Sequence, residues 1–465
     1  MTNRLFGTDG VRDIAGKGYL TPENILKTGR IIGFLMQQKP ELFSRTGLSD
    51  DGLPKTILLA RDTRSSGRMI ESALSAGILS ENIDIISAGI VPTPVCSFLT
   101  KKLNCGLGVM VSASHNPTEY NGIKFFDSCG YKIKDELENK IDTILNDNNY
   151  TYPKIKQIGR FSEKTDALNL YTNDIVTTVS KRFELKSMKI VLDCANGALS
   201  TVAPEIFKRL GADVISINAA PDGDNINKDS GALFPQFARN KLLDEKADIA
   251  FSFDGDGDRV ITIDNTGCER DGDFIMAVCA RHLKKAGKLA ANTVVTTVMA
   301  NLGLEISLKQ ENVSILRTKV GDRFVAEKML NCGAVLGGEQ SGHIMFLNDA
   351  PTGDAIWTAL NLLHAIKNSN STYAELCNCL TKCPQILINV KVHTKPPLMS
   401  IPDIKKAAEN AEKELEKDGR VVLRYSGTEP LARVMIEGKN KEQIETLADN
   451  IATAIRTSIG ESPKI

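Results

Sequence analysis

The sequence predicts an α/β protein: three similar mixed α/β domains followed by a smaller C-terminal α+β domain. Three observations carry this expectation. Short apolar runs alternate with helix-like patterns through the first 384 residues, the signature of layered α/β units. The stretch NDNNYTYPKIKQ, residues 146–157, is poor in periodicity and interrupts that alternation. Beyond Pro384 the rhythm becomes strand, helix, strand, strand, helix. The expected domains span residues 1–157, 158–267, 268–384 and 385–465.

Taken in order, the first domain shows buried-strand runs at residues 57–60, 83–87 and 109–111, with a helical pattern starting near Gly67. In the second, Lys189–Asp193 and residues 248–253 read as strands, and the unit closes after VITIDNTG at Gly267. The third carries Thr293–Thr297, Ser314–Thr318 and residues 334–336 as strands. In the last domain, residues 386–392, 421–425 and 433–437 read as strands, and residues 403–416 as a charged helix. A closing helix places Ile444, Leu447, Ile451 and Ile455 on one stripe. Three successive α/β units of similar size suggest an ancient triplication.

Composition narrows the function classes. The 465 residues hold 57 Lys plus Arg and 57 Asp plus Glu, a net charge of zero that argues against a protein built to hold nucleic acid. No apolar run reaches the roughly 20 residues that span a bilayer, so no membrane partner is expected. The opening MTNRLFGTDG lacks the apolar core of a secretion signal, and a cytoplasmic location is expected. The ten cysteines are scattered, which suits buried reduced thiols. The cluster Cys377, Cys379 and Cys383 lacks the distant second pair of a zinc site.

Four polar loops each follow an apolar strand, where α/β proteins keep their sites. The first is VSASHNP, residues 111–117, followed by NGIKFF, residues 121–126. Ser114 beside His115 suits a nucleophile next to a proton carrier or a positive group, with a plain polar turn as the competing reading. Small residues at Ser112 and Ala113 leave room for a large anion. No Gly-x-Ser-x-Gly elbow surrounds Ser114, which argues against a Ser-His-Asp hydrolase.

The second loop is FDGDGDR, residues 253–259. Its glycines permit a tight turn that brings Asp254, Asp256 and Asp258 together. Three converging carboxylates repel unless a cation sits among them, and hard oxygen ligands favour Mg²⁺ or Ca²⁺. A calcium EF-hand is disfavoured: counting Asp254 as the first loop position, Asn265 falls where a bidentate Glu is needed. A bare acidic turn is the competing reading.

The third loop is GGEQSGH, residues 337–343. An extended loop would present Glu339, Ser341 and His343 on one side, ready for sugar hydroxyls or an amine. The fourth is RYSGTEP, residues 424–430. Arg424 and Arg433 flank Ser426, Gly427 and Thr428, a set of forks, hydroxyls and backbone N–H groups suited to a phosphate dianion. Structural turns compete with both readings. Arg12 lies in the Gly-rich FGTDGVRD, and Lys319 and Arg323 lie in TKVGDR after another strand. His282, His364 and His393 sit in ordinary helix or strand contexts.

SASHNP, DGDGDR, GEQSGH and SGTEP, in that order, resemble the α-D-phosphohexomutase superfamily across essentially the whole chain. LFGTDGVR, NGIKFF, KVGDR and GGEQSGHI look like its branch acting on glucosamine phosphates; relatives acting on mannose or glucose phosphates often have Met in place of Gln340. The resemblance implies four domains around a central cleft, the last one mobile. It implies interconversion of glucosamine 6-phosphate and glucosamine 1-phosphate through a phosphoserine enzyme and a sugar 1,6-bisphosphate, a step feeding UDP-N-acetylglucosamine synthesis. A mutase for mannose or glucose phosphates is the nearest alternative, and a catalytically silent sugar-phosphate-binding protein the more distant one.

Carried over by residue, the resemblance implies Ser114 as the phosphoserine and a Mg²⁺ ion held by Ser114, Asp254, Asp256 and Asp258. His115, Lys124 and Arg259 would surround the transferring phosphoryl group. Glu339 and Ser341 would grip sugar hydroxyls, and Arg424, Ser426, Gly427, Thr428 and Arg433 the phosphate that is not reacting. Arg12, Lys319, Arg323 and His343 complete the expected substrate-binding set. The proton carrier stays open among Lys124, Lys319, His115 and His343. Three positions depart from the branch pattern: Asp13 stands for Gly, Tyr120 for Asp, and Tyr425 for Lys or Pro. None of them removes an expected ligand. Nothing in the sequence sets an oligomeric state.

Overall fold

A computed structural model describes residues 6–7, 10–45, 52–147, 150–152, 154–155, 157–426 and 430–460. Three of its four sheets repeat one plan, a parallel core closed by an antiparallel strand. In the first sheet, Thr56–Arg61 runs parallel to both Asp84–Ile90 and Leu107–Val111, and Tyr120–Asp127 returns antiparallel to Leu107–Val111. In the second, Lys189–Asp193 lies parallel to Asp213–Ile217 and Ile249–Phe253, and Val260–Asp264 returns beside Ile249–Phe253. In the third, Thr293–Thr297 lies parallel to Ser314–Thr318 and Leu336–Gly338, and Ile344–Phe346 returns beside Leu336–Gly338.

This plan puts three of the polar loops at the same topological place. Residues 112–119, 254–259 and 339–343 each join the last parallel strand to the antiparallel one. The crevice outside the carboxyl ends of parallel strands is where such folds bind ligands. The fourth sheet is antiparallel throughout, in the order Gln385–Lys391, Leu431–Gly438, Gly419–Tyr425, and its polar loop links the last two of these strands.

Two sheets overrun the expected boundaries. Phe161–Glu163 lies past residue 157 yet pairs with Asp84–Ile90, and Glu269–Arg270 lies past residue 267 yet pairs with Val260–Asp264. Both are very short edge strands without apolar alternation, so only their pairing marks them as sheet. The third sheet's strand at Leu336–Gly338 also starts where the sequence reading of residues 334–336 ends. Its two glycines carry no side chain to show a period.

Apolar packing joins three of the units and leaves the fourth apart, with further clusters inside each of the first three. One continuous core takes in Leu58, Val95 and Leu99 of the first unit, Phe207, Phe251 and Phe253 of the second, and Ile275, Leu304 and Leu363 of the third. The fourth unit keeps its own core, built from Val434, Ile436, Ile404 and the stripe Ile444, Leu447, Ile451 and Ile455. That stripe is the closing helix Lys441–Ile459, which starts where the Asn440 side chain accepts from Gln443 N. Each such Ile or Leu contributes about 1.5–3 kcal/mol on burial. Of the ten cysteines, five are buried and Cys268 is exposed. No helix among the described residues is long and apolar enough to cross a membrane.

Candidate active site

Ser114 sits in the first loop with φ +52° and no solvent exposure. A non-glycine residue in that left-handed region costs about 1–2 kcal/mol. Its hydroxyl donates to Asp254 Oδ2 at 2.6 Å, and its Oγ lies 3.4 Å from His115 Nδ1. Its backbone N–H donates to Ser112 Oγ at 2.9 Å. Burial pushes the His115 imidazole down to about 4, helped by Arg259 and Arg12, so the ring is neutral near neutrality.

The second loop turns tightly at Gly257, whose φ of +74° suits glycine. The turn gathers Asp254, Asp256 and Asp258, each buried, with one oxygen apiece inside 4.8 Å of the others. Burial and the neighbouring Asp258 and Asp256 push Asp254 well above the usual carboxylate range. Asp254 Oδ1 accepts from Arg259 N at 3.0 Å. Lys124, 1% exposed, donates to Asp256 Oδ2 at 2.8 Å and to Asp258 Oδ2 at 3.0 Å. Thr93 also donates to Asp256 Oδ2, whereas Asp256 Oδ1 is buried with no hydrogen-bond partner among the described residues. Three carboxylates against one ammonium, with an oxygen left over, form a donor set that fits a hard divalent cation.

The third loop is not extended. Gly342 N donates to Glu339 O at 3.0 Å and Glu339 N to His343 O at 2.9 Å, so residues 339–343 form a tight turn. This corrects the expectation that alternation would place Glu339, Ser341 and His343 on one side. Glu339 and His343 face each other across the turn and are buried, and Ser341 is exposed at the tip. Arg259 and His343 form a β-bridge that ties this loop to the metal loop. His343 Nε2 lies 3.4 Å from Asp322 Oδ2 and 4.0 Å from Asp258 Oδ2. Gly353 packs closely behind it: a Cβ there would stand 2.4 Å from the imidazole, which would have to shift.

In the fourth loop, Arg424 and Arg433 are opposite each other in register, an arrangement that like charges disfavour. Burial, then Arg433, lowers the pKa of Arg424, while Glu339 of the third unit favours its charge. Arg433 Nη2 donates to Ser426 Oγ at 3.4 Å, and Lys395 Nζ to Ser426 O at 2.9 Å. Gly427 and Thr428 lie outside the described residues.

The remaining expected ligands divide. Arg12, on the edge strand Val11–Ile14, reaches the first loop and donates to Asn116 Oδ1 at 3.1 Å. Lys319 is exposed. Arg323 is buried, and its Nη1 lies against Glu138, at 3.0 Å, and Asp135, a contact that joins the third unit to the first. Sequence reasoning passed over Thr93, Asp322 and Lys395, because only tertiary contact brings them to the loops. It also passed over Arg64 and Asn227, which hold the Ser114 turn from behind. The polar RDTRSSG after a buried strand was the available signal for Arg64.

The four segments match the four phosphoglucomutase/phosphomannomutase domain families in order: domain I over residues 3–151, domain II over 169–267, domain III over 271–383 and the C-terminal domain over 387–454. A phosphoglucosamine mutase of Clostridium botulinum (strain Kyoto / Type A2) is 44% identical over 461 residues, covering 98% of this chain and 99% of its own. A phosphoglucomutase/phosphomannomutase family protein from Burkholderia thailandensis superposes with a TM-score of 0.78 at 21% identity, covering 99% of this chain and 100% of its own. The Aspergillus fumigatus N-acetylphosphoglucosamine mutase, solved with GlcNAc-6P and magnesium, gives a TM-score of 0.62 at 21% identity over 78% of this chain and 92% of its own. The repeated sheet plan, the serine over three aspartates and the full-length likeness agree: the chain belongs to the phosphoglucomutase/phosphomannomutase family of the α-D-phosphohexomutase superfamily.

Proposed function

We propose that this chain interconverts glucosamine 6-phosphate and glucosamine 1-phosphate through a phosphoserine at Ser114 and a sugar 1,6-bisphosphate intermediate. The observation that carries the chemistry is the buried Ser114 hydroxyl at 2.6 Å from Asp254 Oδ2, over three clustered carboxylates. The choice of sugar rests on 44% identity across 98% of the chain to a phosphoglucosamine mutase.

In the forward half-reaction the P–Oγ bond of phosphorylated Ser114 breaks as a P–O bond forms to a sugar hydroxyl. The bisphosphate turns end for end, and Ser114 Oγ takes back the other phosphoryl group. Such transfer needs positioning and charge neutralisation more than covalent help. Ser114, Asp254, Asp256 and Asp258 would hold Mg²⁺, which supplies charge neutralisation at the transferring oxygens when bound. Lys124 and Arg259 bring fixed positive charge to the same place. Among the four candidate proton carriers, His115 has a ring nitrogen beside Ser114 Oγ and is neutral, the form that accepts a proton. Arg424, Ser426 and Arg433, with Gly427 and Thr428, would grip the idle phosphate, and Glu339 and Ser341 the sugar hydroxyls. A cytoplasmic location fits substrates whose charge bars them from crossing a bilayer unaided.

The test is a panel of glucosamine, glucose and mannose 6-phosphates, each primed with hexose 1,6-bisphosphate, alongside intact-mass analysis. Preferred turnover of the glucosamine ester, with one phosphate that Ser114→Ala removes together with activity, supports the proposal. Preference for a neutral hexose ester overturns the sugar assignment, and turnover by Ser114→Ala overturns the phosphoserine.

A further inference from the structure

Ser114 poses a local conflict. The chemistry requires a side chain with a hydroxyl, yet the backbone there is left-handed, where glycine is preferred. Something beyond the turn itself must hold it. The holding groups lie beneath the loop and are buried.

Arg64 is 1% exposed and spreads its guanidinium across the inner face of the loop. Its Nη2 donates to Ser114 O at 3.0 Å and to Asn116 O at 2.8 Å, and its Nη1 to Pro117 O at 2.6 Å. Asp62, fully buried, fixes the fork by accepting from Arg64 Nε at 3.0 Å and Arg64 N at 2.9 Å. The same carboxylate accepts from Ser112 Oγ at 2.7 Å, and that hydroxyl in turn receives the Ser114 N–H. Both ends of the Ser114 residue are thereby tied to one ion pair.

A second hold comes from another part of the chain. Asn227, in the second unit, donates from Nδ2 to Ser114 O at 2.8 Å and to Asn116 O at 3.0 Å. It is delivered by a loop docked on the Arg64 loop: Ser65 N donates to Gly223 O at 2.9 Å, and Thr63 Oγ1 to Asn196 O at 2.8 Å. The Ser114 carbonyl thus accepts from the first unit and the second unit at once, while its hydroxyl meets Asp254 of the second unit.

We infer that Arg64, fixed by Asp62, and Asn227 are positioning residues that hold the Ser114 turn left-handed, so that the serine Oγ faces the aspartate cluster only while the first two units are docked. A buried ion pair serving general stability would spend its donors on carboxylates. Arg64 instead gives three of its hydrogen bonds to carbonyls of residues 114–117 and aims only Nε and its own backbone N–H at Asp62. The role given to Ser114 rests on the mutase reading above, but the conformational statement does not.

The test therefore has two readouts, on the full chain. Crystal structures of Arg64→Ala and Asn227→Ala read the Ser114 backbone, and steady-state kinetics read turnover. We expect Ser114 to leave the left-handed region in Arg64→Ala. We expect kcat to fall about 100-fold in Arg64→Ala and about ten-fold in Asn227→Ala, with KM within about two-fold, because neither residue touches substrate. Added ethylguanidinium should restore both turn and turnover to Arg64→Ala, an effect that a loss of general stability would not show. Asn227→Ala, at the edge of the network, carries the test if Arg64→Ala does not fold. A turn that stays at its present φ in the folded variants overturns the inference, as does a loss of kcat that KM shares and ethylguanidinium leaves untouched. A relaxed turn with undiminished kcat leaves the conformational inference standing and overturns Ser114 as the phosphoryl carrier.

Discussion

The two ends of the proposed site are built on opposite principles. At the Ser114 end the groups are buried, cross-linked and crowded with negative charge: Asp254, Asp256 and Asp258 meet in one turn. At the Arg424 end the groups are partly open and crowded with positive charge, with Arg424 and Arg433 facing each other in register. The first end lies on the apolar core shared by three units, and the second on a unit with a core of its own. The contrast separates chemistry from grip. The reacting phosphoryl group needs fixed groups that do not reorganise. In the proposed reaction the idle phosphate must be accepted from either end of the sugar, which suits a receptor on a unit with its own core.

The largest effect is expected at the chemical end. Asp256→Asn removes one formal charge beside Lys124 and the spare carboxylate oxygen Oδ1. We expect kcat to fall about 10²–10³-fold, with a higher Mg²⁺ concentration needed for half-maximal rate. A metal titration of the variant reads both. Turnover close to that of the unmodified chain would show that the cage is not where charge is neutralised.

At the grip end the loss should take another form. Arg424→Ala removes a guanidinium from the phosphate loop, which should raise KM for the sugar phosphate by an amount worth about 2–3 kcal/mol. The rate at saturating substrate should change far less. A variant with lowered kcat and unaltered KM would erase the division between chemistry and grip.

The contact between the fourth unit and the third offers a smaller effect. Glu437, fully buried, accepts from Arg420, from Asn301 Nδ2 at 3.2 Å and from Leu302 N at 3.1 Å, tying the fourth unit to the third. Glu437→Gln keeps the shape and drops the charge. If closure depends on this anchor, kcat and KM should worsen together by up to about ten-fold, as hinge changes do. Unchanged kinetics alongside a lowered melting temperature would make the contact purely structural.

How far the sequence could be read follows the same divide between local and tertiary order. Each of the four loops was legible because it is a contiguous run after an apolar strand, and its residue types name their chemistry: alternating Asp with Gly, or Ser and Thr between arginines. Most strands of the parallel cores were legible as short buried apolar runs, whereas Asp213–Ile217, a partly exposed edge strand of the second sheet, was not read. What escaped has no contiguous signature. Phe161–Glu163 belongs to the first sheet only by pairing with Ile85–Ser87. KVGDR shows Arg323 but not Glu138 and Asp135, which only folding brings against it. Arg64 and Asn227 are 163 positions apart in chain numbering and meet only at Ser114 O. The turn at Gly342 replaced an assumed extended loop, because alternation cannot register a backbone reversal.

A stacked histidine away from both ends should affect stability and leave catalysis alone. His364 stacks on Phe183 at 4.9 Å and meets His282 edge-on at 4.9 Å, behind the shared core. Burial, then His282, Arg182 and Lys288, lower its pKa from 6.5 to about 4. In the folded chain it refuses a proton that the unfolded chain accepts at about 6.5, so between these values the unfolded state binds more protons. Its contribution to stability is therefore fully present above about pH 6.5 and is lost as pH falls toward about 4. His364→Gln removes the titration, so the drop in Tm between about pH 7.5 and about pH 5 should shrink. Calorimetry at the two pH values measures this, and an equally steep drop in the variant would assign the acid sensitivity elsewhere. Neither KM nor kcat near neutrality should move, because His364 reaches neither the aspartate cluster nor the arginine loop. If either did move, the shared core would be transmitting strain to the serine turn, and its fixed geometry would depend on packing well behind the loops that form it.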